Sequence, residues 1–273
     1  MNKPKFLIAY HRDDNDGVFS GAILAHHLHS RMGIDYEQIK LDGVTHGDIQ
    51  ERFTKEDLKE LRKEYDFFYL TDMSMPLECM EYARELWHRN FVWIDHHAPI
   101  IKATEESGLA DKINGLRGTE HSALYHAYRY CHGFDGCQIP KYLDGLSAWD
   151  SFTFQQTEKT RLRIINSGTT HIYGLSIENV ISLLEYIDDG SETWEDVEKE
   201  AERIGNILVA DADQRNLELI QRYGDFDWKL VGLDGSERTA CALFVQGPTS
   251  SVMFQSADGK ALCGIVCKYT PSG

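Results

Sequence analysis

Near the start of the chain, His11-Arg-Asp-Asp-Asn-Asp-Gly17 packs three carboxylates into four positions. Carboxylates crowded together repel one another, and a bound cation is the natural neutraliser. Asp14 and Asp16 stand two apart, so one loop can offer a carboxylate to each of two neighbouring ions. The competing reading is an acidic N-terminal helix cap, which needs no metal. On this segment alone the two readings stand level. A second group, Asp95-His96-His97, follows the apolar run Phe91-Val-Trp-Ile94. Imidazole and carboxylate together suit Mn²⁺, Fe²⁺ or Zn²⁺. A histidine pair is often an ordinary surface feature, and His26-His27 is read that way. Asp72 and Asp150 each sit just past an apolar or helical stretch. Taken together, His11, Asp14, Asp16, Asp72, His96 and Asp150 supply four carboxylates and two imidazoles. That number suffices for two divalent ions sharing one carboxylate. Two such ions clamp the attacking and leaving oxygens of a phosphoryl group and lower the pKa of a shared water.

These residues need a scaffold. Phe6-Leu-Ile-Ala-Tyr10 reads as a buried strand ending at His11. Phe67-Phe-Tyr-Leu70 reads as a second, ending in Thr71-Asp72, and Phe91–Ile94 as a third. Helical patterns fall between them, from about Gly17 to Ser30 and from Pro76 to Trp87. Gly17 would let the chain turn tightly into the first of these. Strands alternating with helices predict an α/β fold, a mostly parallel sheet with helices on both faces. In such sheets ligands bind at the carboxyl ends of strands, where these residues cluster. Residues 120–149 read as one helix followed by Asp150. Residues 193–222 read as a long charged connector helix. Beyond it, Trp228–Leu233, Ala240–Val245, Val252–Gln255 and Leu262–Tyr269 read as short strands. The expected organisation is therefore a catalytic domain over 1–190, a linker helix over 191–224, and a small, truncated β-rich domain over 225–273.

The chain has 273 residues and a net charge of −16. Such acidity opposes a non-specific grip on long duplex nucleic acid, yet permits a small anion held through bound metal. None of the six cysteines forms a C-x-x-C pair, so they read as small buried hydrophobes. The sequence shows no signal segment or membrane span, and the expectation is a cytoplasmic, reduced protein.

The motifs taken in order resemble the DHH phosphoesterase family, named for the Asp-His-His of its third motif. Tyr10 to Gly17 looks like the first motif, H-x-D-x-D-G, and Leu70-Thr-Asp72 like the second. Ile94-Asp-His-His97 is the third, and Leu146-Ser-Ala-Trp-Asp150 looks like the fourth. Gly118-Thr119 through Ser122-Ala123 resembles another recurrent feature. The resemblance covers residues 5–155 well and 190–273 loosely, and is strongest to the short-RNA-degrading, nano-RNase and oligoribonuclease-like branch. It implies one metal on His11, Asp14 and Asp72, and another on Asp16, Asp72, His96 and Asp150, with Asp72 bridging. The ions implied are Mn²⁺ first, then Mg²⁺, Co²⁺ or Fe²⁺. Asp95 would orient its histidine neighbour, and His97 would contact the phosphate or the leaving oxygen. Arg117, His121 and Ser122 are the expected substrate-binding residues, while His46 and His126 read as structural or solvent-facing.

Two departures stand out. One extra residue separates His11 from the D-x-D pair, so Asp13 competes with Asp14 as ligand. No GGGH segment, which many members use for substrate, occurs in the chain. The implied partner is a small nucleotide or short single-stranded RNA, with phosphodiester or phosphate ester hydrolysis as the reaction. No membrane partner is expected, and a homodimer is compatible with the pattern. An inorganic pyrophosphatase would show H-x-N-P-D-x-D and a late Ser-Arg-Lys run, and neither is present. A third alternative is a nucleotide-binding protein with a vestigial site.

Overall fold

The computed structural model describes residues 3–133, 138–223, 227–231, 237–245 and 264–268. The chain divides into two units, Met1–Asn206 and Ile207–Gly273. In the first, β1 (Phe6–His11), β2 (Ile39–Val44), β3 (Phe67–Thr71) and β4 (Phe91–Ile94) form a parallel sheet in the order β2-β1-β3-β4. Its helices are α1 (Asn15–Met32), α2 (Ile49–Arg52), α3 (Lys55–Glu64), α4 (Leu77–Trp87), α5 (Ala98–Glu106), α6 (Ala123–His132), α7 (Lys141–Ser151), α8 (Lys159–Tyr173), α9 (Ile177–Asp188) and the start of α10 (Trp194–Tyr223).

Strand side chains alternate between the two faces of a sheet. Phe6, Ile8 and Tyr10 of β1 join Val92 and Ile94 of β4 in a core completed by α1, α6, α7 and α9. Leu7 and Ala9 join Phe91 and Trp93 in a second core with Leu58 of α3 and Met80, Ala83 and Trp87 of α4. Both faces are therefore covered, which is why these strands are continuously apolar. The expected α/β class, with helices on both faces, is the class observed.

The elements differ from expectation in two places. β2 was not anticipated: it is an edge strand in which only Ile39 and Val44 are buried, so it shows no apolar run. The helix expected over 120–149 is two helices. α6 ends at Gly133, whose φ of 88° lies outside the helical region, and α7 begins after Pro140. Asp150 consequently lies in the last turn of α7 rather than beyond it. Deeper in this unit, α8 and α10 touch backbone to backbone, since a Cβ at Gly168 would overlap the Ala201 carbonyl.

In the second unit β5 (Asp227–Val231), β6 (Glu237–Val245) and β7 (Gly264–Lys268) form a sheet in that order, β5 antiparallel and β7 parallel to β6. The strand expected at 252–255 lies outside the described residues. Among the described residues no helix is long and apolar enough to cross a membrane.

Candidate metal centre

From β1 the chain builds outward to β2 on one side and to β3 and β4 on the other. The carboxyl ends of β1 and β3 therefore flank the point where connections diverge, the place where open α/β sheets bind ligands. His11 ends β1, Asp72 follows β3, and Asp95-His96-His97 follows β4. α1 starts just past β1 with Asp14 as its N-cap, the carboxylate accepting from the Gly17 N–H at 2.9 Å. The capping reading of this loop is met by Asp14. Gly17 is needed for close approach, because a Cβ there would overlap the His11 carbonyl.

Four of the expected ligands, Asp16, Asp72, His96 and Asp150, converge, and His11 and Asp14 pair with each other. His96 Nε2 lies 3.2 Å from Asp72 Oδ1, 3.2 Å from Asp150 Oδ2 and 3.6 Å from Asp16 Oδ2. His11 Nε2 lies 3.3 Å from Asp14 Oδ2. Two compact three-donor groups result among the described residues, Asp16–His96–Asp150 and Asp72–His96–His97. His11, Asp14 and Asp72 do not form a third group of that compactness. Asp13 is half exposed beside Arg12, whereas Asp14 faces His11.

Asp72 is only 2% exposed, with its backbone in the left-handed region at φ 57°. His96 approaches its Oδ1 without the alignment of a hydrogen bond, leaving that buried oxygen unpartnered. His11 Nδ1 and Thr71 Oγ1, on the adjoining strand ends, are also buried without partners. Such atoms are rare in folded proteins and call for an explanation. Burial first, then the charges of Asp16, Asp14, Asp150 and Asp95, push the Asp72 carboxyl well above the usual range. Burial and then Asp16 and Asp14 raise Asp150 as well, with His97 opposing. At His11 burial pulls the pKa down, but the bond and charge of Asp14 outweigh it and the net direction is up. For Asp14 burial pushes up and is outweighed by the bonds from His11 and the Gly17 N–H. A divalent cation among these groups would give the Asp72 oxygen a partner and favour the charged carboxylates. Oxygen and imidazole donors are a fitting set for Mn²⁺-type ions.

The surrounding residues hold this arrangement in place. Both Asp16 oxygens receive the N-terminus of α6, from the Ser122 hydroxyl at 2.5 Å, the Leu124 N–H at 2.8 Å and the Ala123 N–H at 2.9 Å. A carboxylate at a helix N-terminus is favourably placed. The Asn15 side chain donates to the Asn166 Oδ1 at 2.8 Å and to the Thr170 hydroxyl at 2.9 Å, tying the loop to α8. Asp95 is fully buried and accepts from the His96 N–H, the His97 N–H and the Trp93 indole. Its bond to His97 Nδ1, at 2.7 Å, fixes that ring and leaves Nε2 free of Asp95. The same bond, against the opposing effect of burial, raises the His97 pKa.

Two expected substrate contacts need correction. The Arg117 guanidinium donates to the carbonyls of Trp93, Ala110, Ile113 and Asn114 and lies over the Trp93 ring. It is a brace for the end of β4, not a free phosphate clamp. Ser122 is fully buried and its hydroxyl is committed to Asp16, so it positions a ligand instead of touching substrate. His121 stacks on Tyr125 at 3.7 Å, a ring contact that gives it no direct bond to the cluster. His126 is tied to the Gly118 carbonyl, in keeping with a structural role. His26 also departs from its surface reading, being half-buried with Asp188 3.6 Å away.

His46, expected to be structural or solvent-facing, stands at the cluster. Its ring stacks on His11 at 4.0 Å and meets His97 edge-on at 5.1 Å. Burial, and then His11 and His97, lower its pKa. The signal that would have found it is positional: it lies two residues past the end of β2, beside the other loaded strand ends.

No family model matches the chain, and no curated protein matches it. A solved structure described as a member of the s1p family of ribosomal proteins, DHH domain, superposes with a TM-score of 0.43 at 12% identity. The match covers 88% of this chain and 62% of that one, so the chain spans less than two thirds of that neighbour's length.

Proposed function

We propose that the chain is a metal-dependent phosphoesterase of the DHH kind, acting on phosphodiester or phosphate ester bonds of short nucleotides. The observation that carries the reading is the buried, unpartnered Asp72 oxygen at the centre of converging carboxylates and imidazoles. In this reading His11, Asp14 and Asp72 hold one divalent ion, and Asp16, Asp72, His96 and Asp150 the other. Mn²⁺ is the first choice. Bound there, the ions supply positive charge for a phosphoryl group and acidify water. The chain's own residues do the rest. Ser122 and the α6 N-terminus hold Asp16 in place, and Asp95 holds His97 through Nδ1, leaving Nε2 for other contacts. Held in this way, His97 is suited to donate a hydrogen bond or proton to the leaving oxygen. The net charge of −16 favours small substrates over long polymers.

The test uses metal-stripped protein supplied with Mn²⁺ and a 5′-phosphorylated RNA dinucleotide, with pyrophosphate in parallel and Asp72→Asn as control. Release of mononucleotide that the variant loses supports the reading. Faster turnover of pyrophosphate than of the dinucleotide would move the assignment to a pyrophosphatase, and no turnover of either would reject hydrolysis.

A further inference from the structure

His46 is an exposed residue two positions past the end of β2, yet its ring is engaged on two sides. It stacks on His11 with centroids 4.0 Å apart and planes 27° from parallel. It meets His97 at 5.1 Å with planes 80° apart. β2 and β4 are the opposite edges of the sheet, three strand spacings or roughly 14 Å apart. The connections that follow them therefore meet across the carboxyl end of the sheet, with the end of β1 between. Thr45 closes the segment around His46 into a turn, accepting from the Asp48 N–H through its carbonyl and its hydroxyl at 3.1 Å each. Neither sheet pairing nor core packing asks for this reach, since His46 lies past the paired residues of β2 and belongs to neither core.

The two rings that His46 touches are held very differently. A metal-binding imidazole ordinarily has its second nitrogen hydrogen-bonded, which fixes the rotation of the ring. His97 has such an anchor, its Nδ1 lying 2.7 Å from the fully buried Asp95 carboxylate. His11 has none, because its Nδ1 is buried without a hydrogen bond. The Val44 carbonyl, which accepts from the Arg12 N–H at 3.1 Å, acts on the His11 ring without forming an aligned bond. His11 Nε2 faces Asp14 Oδ2 at 3.3 Å, so it is the nitrogen turned toward another expected ligand. Something other than a bond at Nδ1 must keep it aimed there, and His46 covers the face of that ring.

We propose that His46 is a positioning residue of the metal centre: braced against the anchored His97, it holds the His11 ring by its face in place of the missing bond at Nδ1. This rests on the metal-centre reading and adds the residue that keeps one ligand aimed. The role needs a flat ring at position 46 and no nitrogen.

The test titrates Mn²⁺ into the metal-stripped full chain by calorimetry. The unmodified protein should bind two ions. His46→Ala should weaken one of them by about 10- to 100-fold, the range for losing a group that orients a ligand, and leave the other unchanged. His46→Phe, which keeps a stacking face and has no nitrogen, should restore that affinity to within about threefold. His46→Gln, which keeps a polar group and has no ring, should not. Melting temperatures in EDTA should match across the set, because the position is exposed; should His46→Ala melt lower, the Phe and Gln variants decide. Undiminished binding by His46→Ala overturns the proposal and leaves the metal centre standing. Failure of His46→Phe to restore affinity, or rescue by His46→Gln, also overturns it, because His46 would then act through its nitrogen. Absence of Mn²⁺ binding by the unmodified protein rejects the metal centre and the proposal with it.

Discussion

Asp72→Asn is the sharpest perturbation of the cluster. Asparagine has the same shape and, among residues other than glycine, tolerates the left-handed backbone at φ 57° well. The change therefore removes charge while leaving geometry alone. In metal-free protein that ionisable group is buried, unpartnered and surrounded by Asp16, Asp14, Asp150 and Asp95. Deleting it should return about 2 kcal/mol at pH 8. For a unit of this size that is a rise in melting temperature of roughly 4–8 °C. The pH dependence follows from the sign of the shift. A carboxyl whose folded pKa is raised stabilises the fold at pH values below its unfolded pKa, and that contribution is lost as pH rises through the folded pKa. Metal-free wild type should thus lose stability between about pH 4 and the high folded value, with a shallower loss in the variant. Manganese should reverse the ranking. At a hundred times its dissociation constant a ligand adds about 2.7 kcal/mol to the wild type, and the variant should gain much less. Differential scanning calorimetry with EDTA and with Mn²⁺, at pH 5 and 8, measures all of these terms. A metal-free variant less stable than wild type at pH 8, or an undiminished response to Mn²⁺, would refute the reasoning.

Three further outcomes follow from named contacts. Asp95→Asn weakens the anchor at His97 Nδ1 and should cut dinucleotide turnover by about 10- to 100-fold. It should also shift the alkaline limb of the pH–rate profile to lower pH, since Asp95 is what raises the His97 pKa; an unshifted limb rejects His97 as the titrating donor. Arg117→Gln removes most of the carbonyl bonds bracing β4 and should cost about 3 kcal/mol in urea melts, with KM little changed. A large rise in KM with intact stability would return Arg117 to the substrate. Gly17→Ala places a Cβ against the His11 carbonyl and should destabilise the fold by about 1–3 kcal/mol while blunting the Mn²⁺-dependent rise in melting temperature; an unaltered melt would show that the loop has room to spare.

Which parts of this site were legible depends on what each residue is buried against. β1, β3 and β4 are covered on both faces, so each announces itself as an apolar run with a polar residue at its end. β2 lies at the sheet edge with only its terminal residues buried, and it shows no such run. Missing β2 is what kept His46 apart from the other strand-end residues. The break between α6 and α7 was written in Gly133 and Pro140, but the surrounding helical pattern masked it. Arg117 and Ser122 were misjudged for a different reason. Their partners are backbone carbonyls of residues 93–114 and a carboxylate 106 positions away, and local pattern carries no trace of such contacts.

The unfavourable groups of the cluster persist because the fold around them is held by other contacts. Buried carboxylates and unpaired polar atoms occupy the carboxyl ends of the strands, just past the paired residues of β1, β3 and β4. The apolar cores lie on the two sheet faces and hold the strands from both sides. Asp16 joins the two regions. Its oxygens take three donors from the start of α6, so the helix restrains one carboxylate even when its neighbours repel it. If the cores carried the site alone, Ser122→Ala would alter neither stability nor Mn²⁺ affinity. If Asp16 is restrained as described, the hydroxyl's loss leaves two backbone donors in place, so stability should fall by only about 1 kcal/mol. The larger effect should be on Mn²⁺ affinity, which depends on where that carboxylate points.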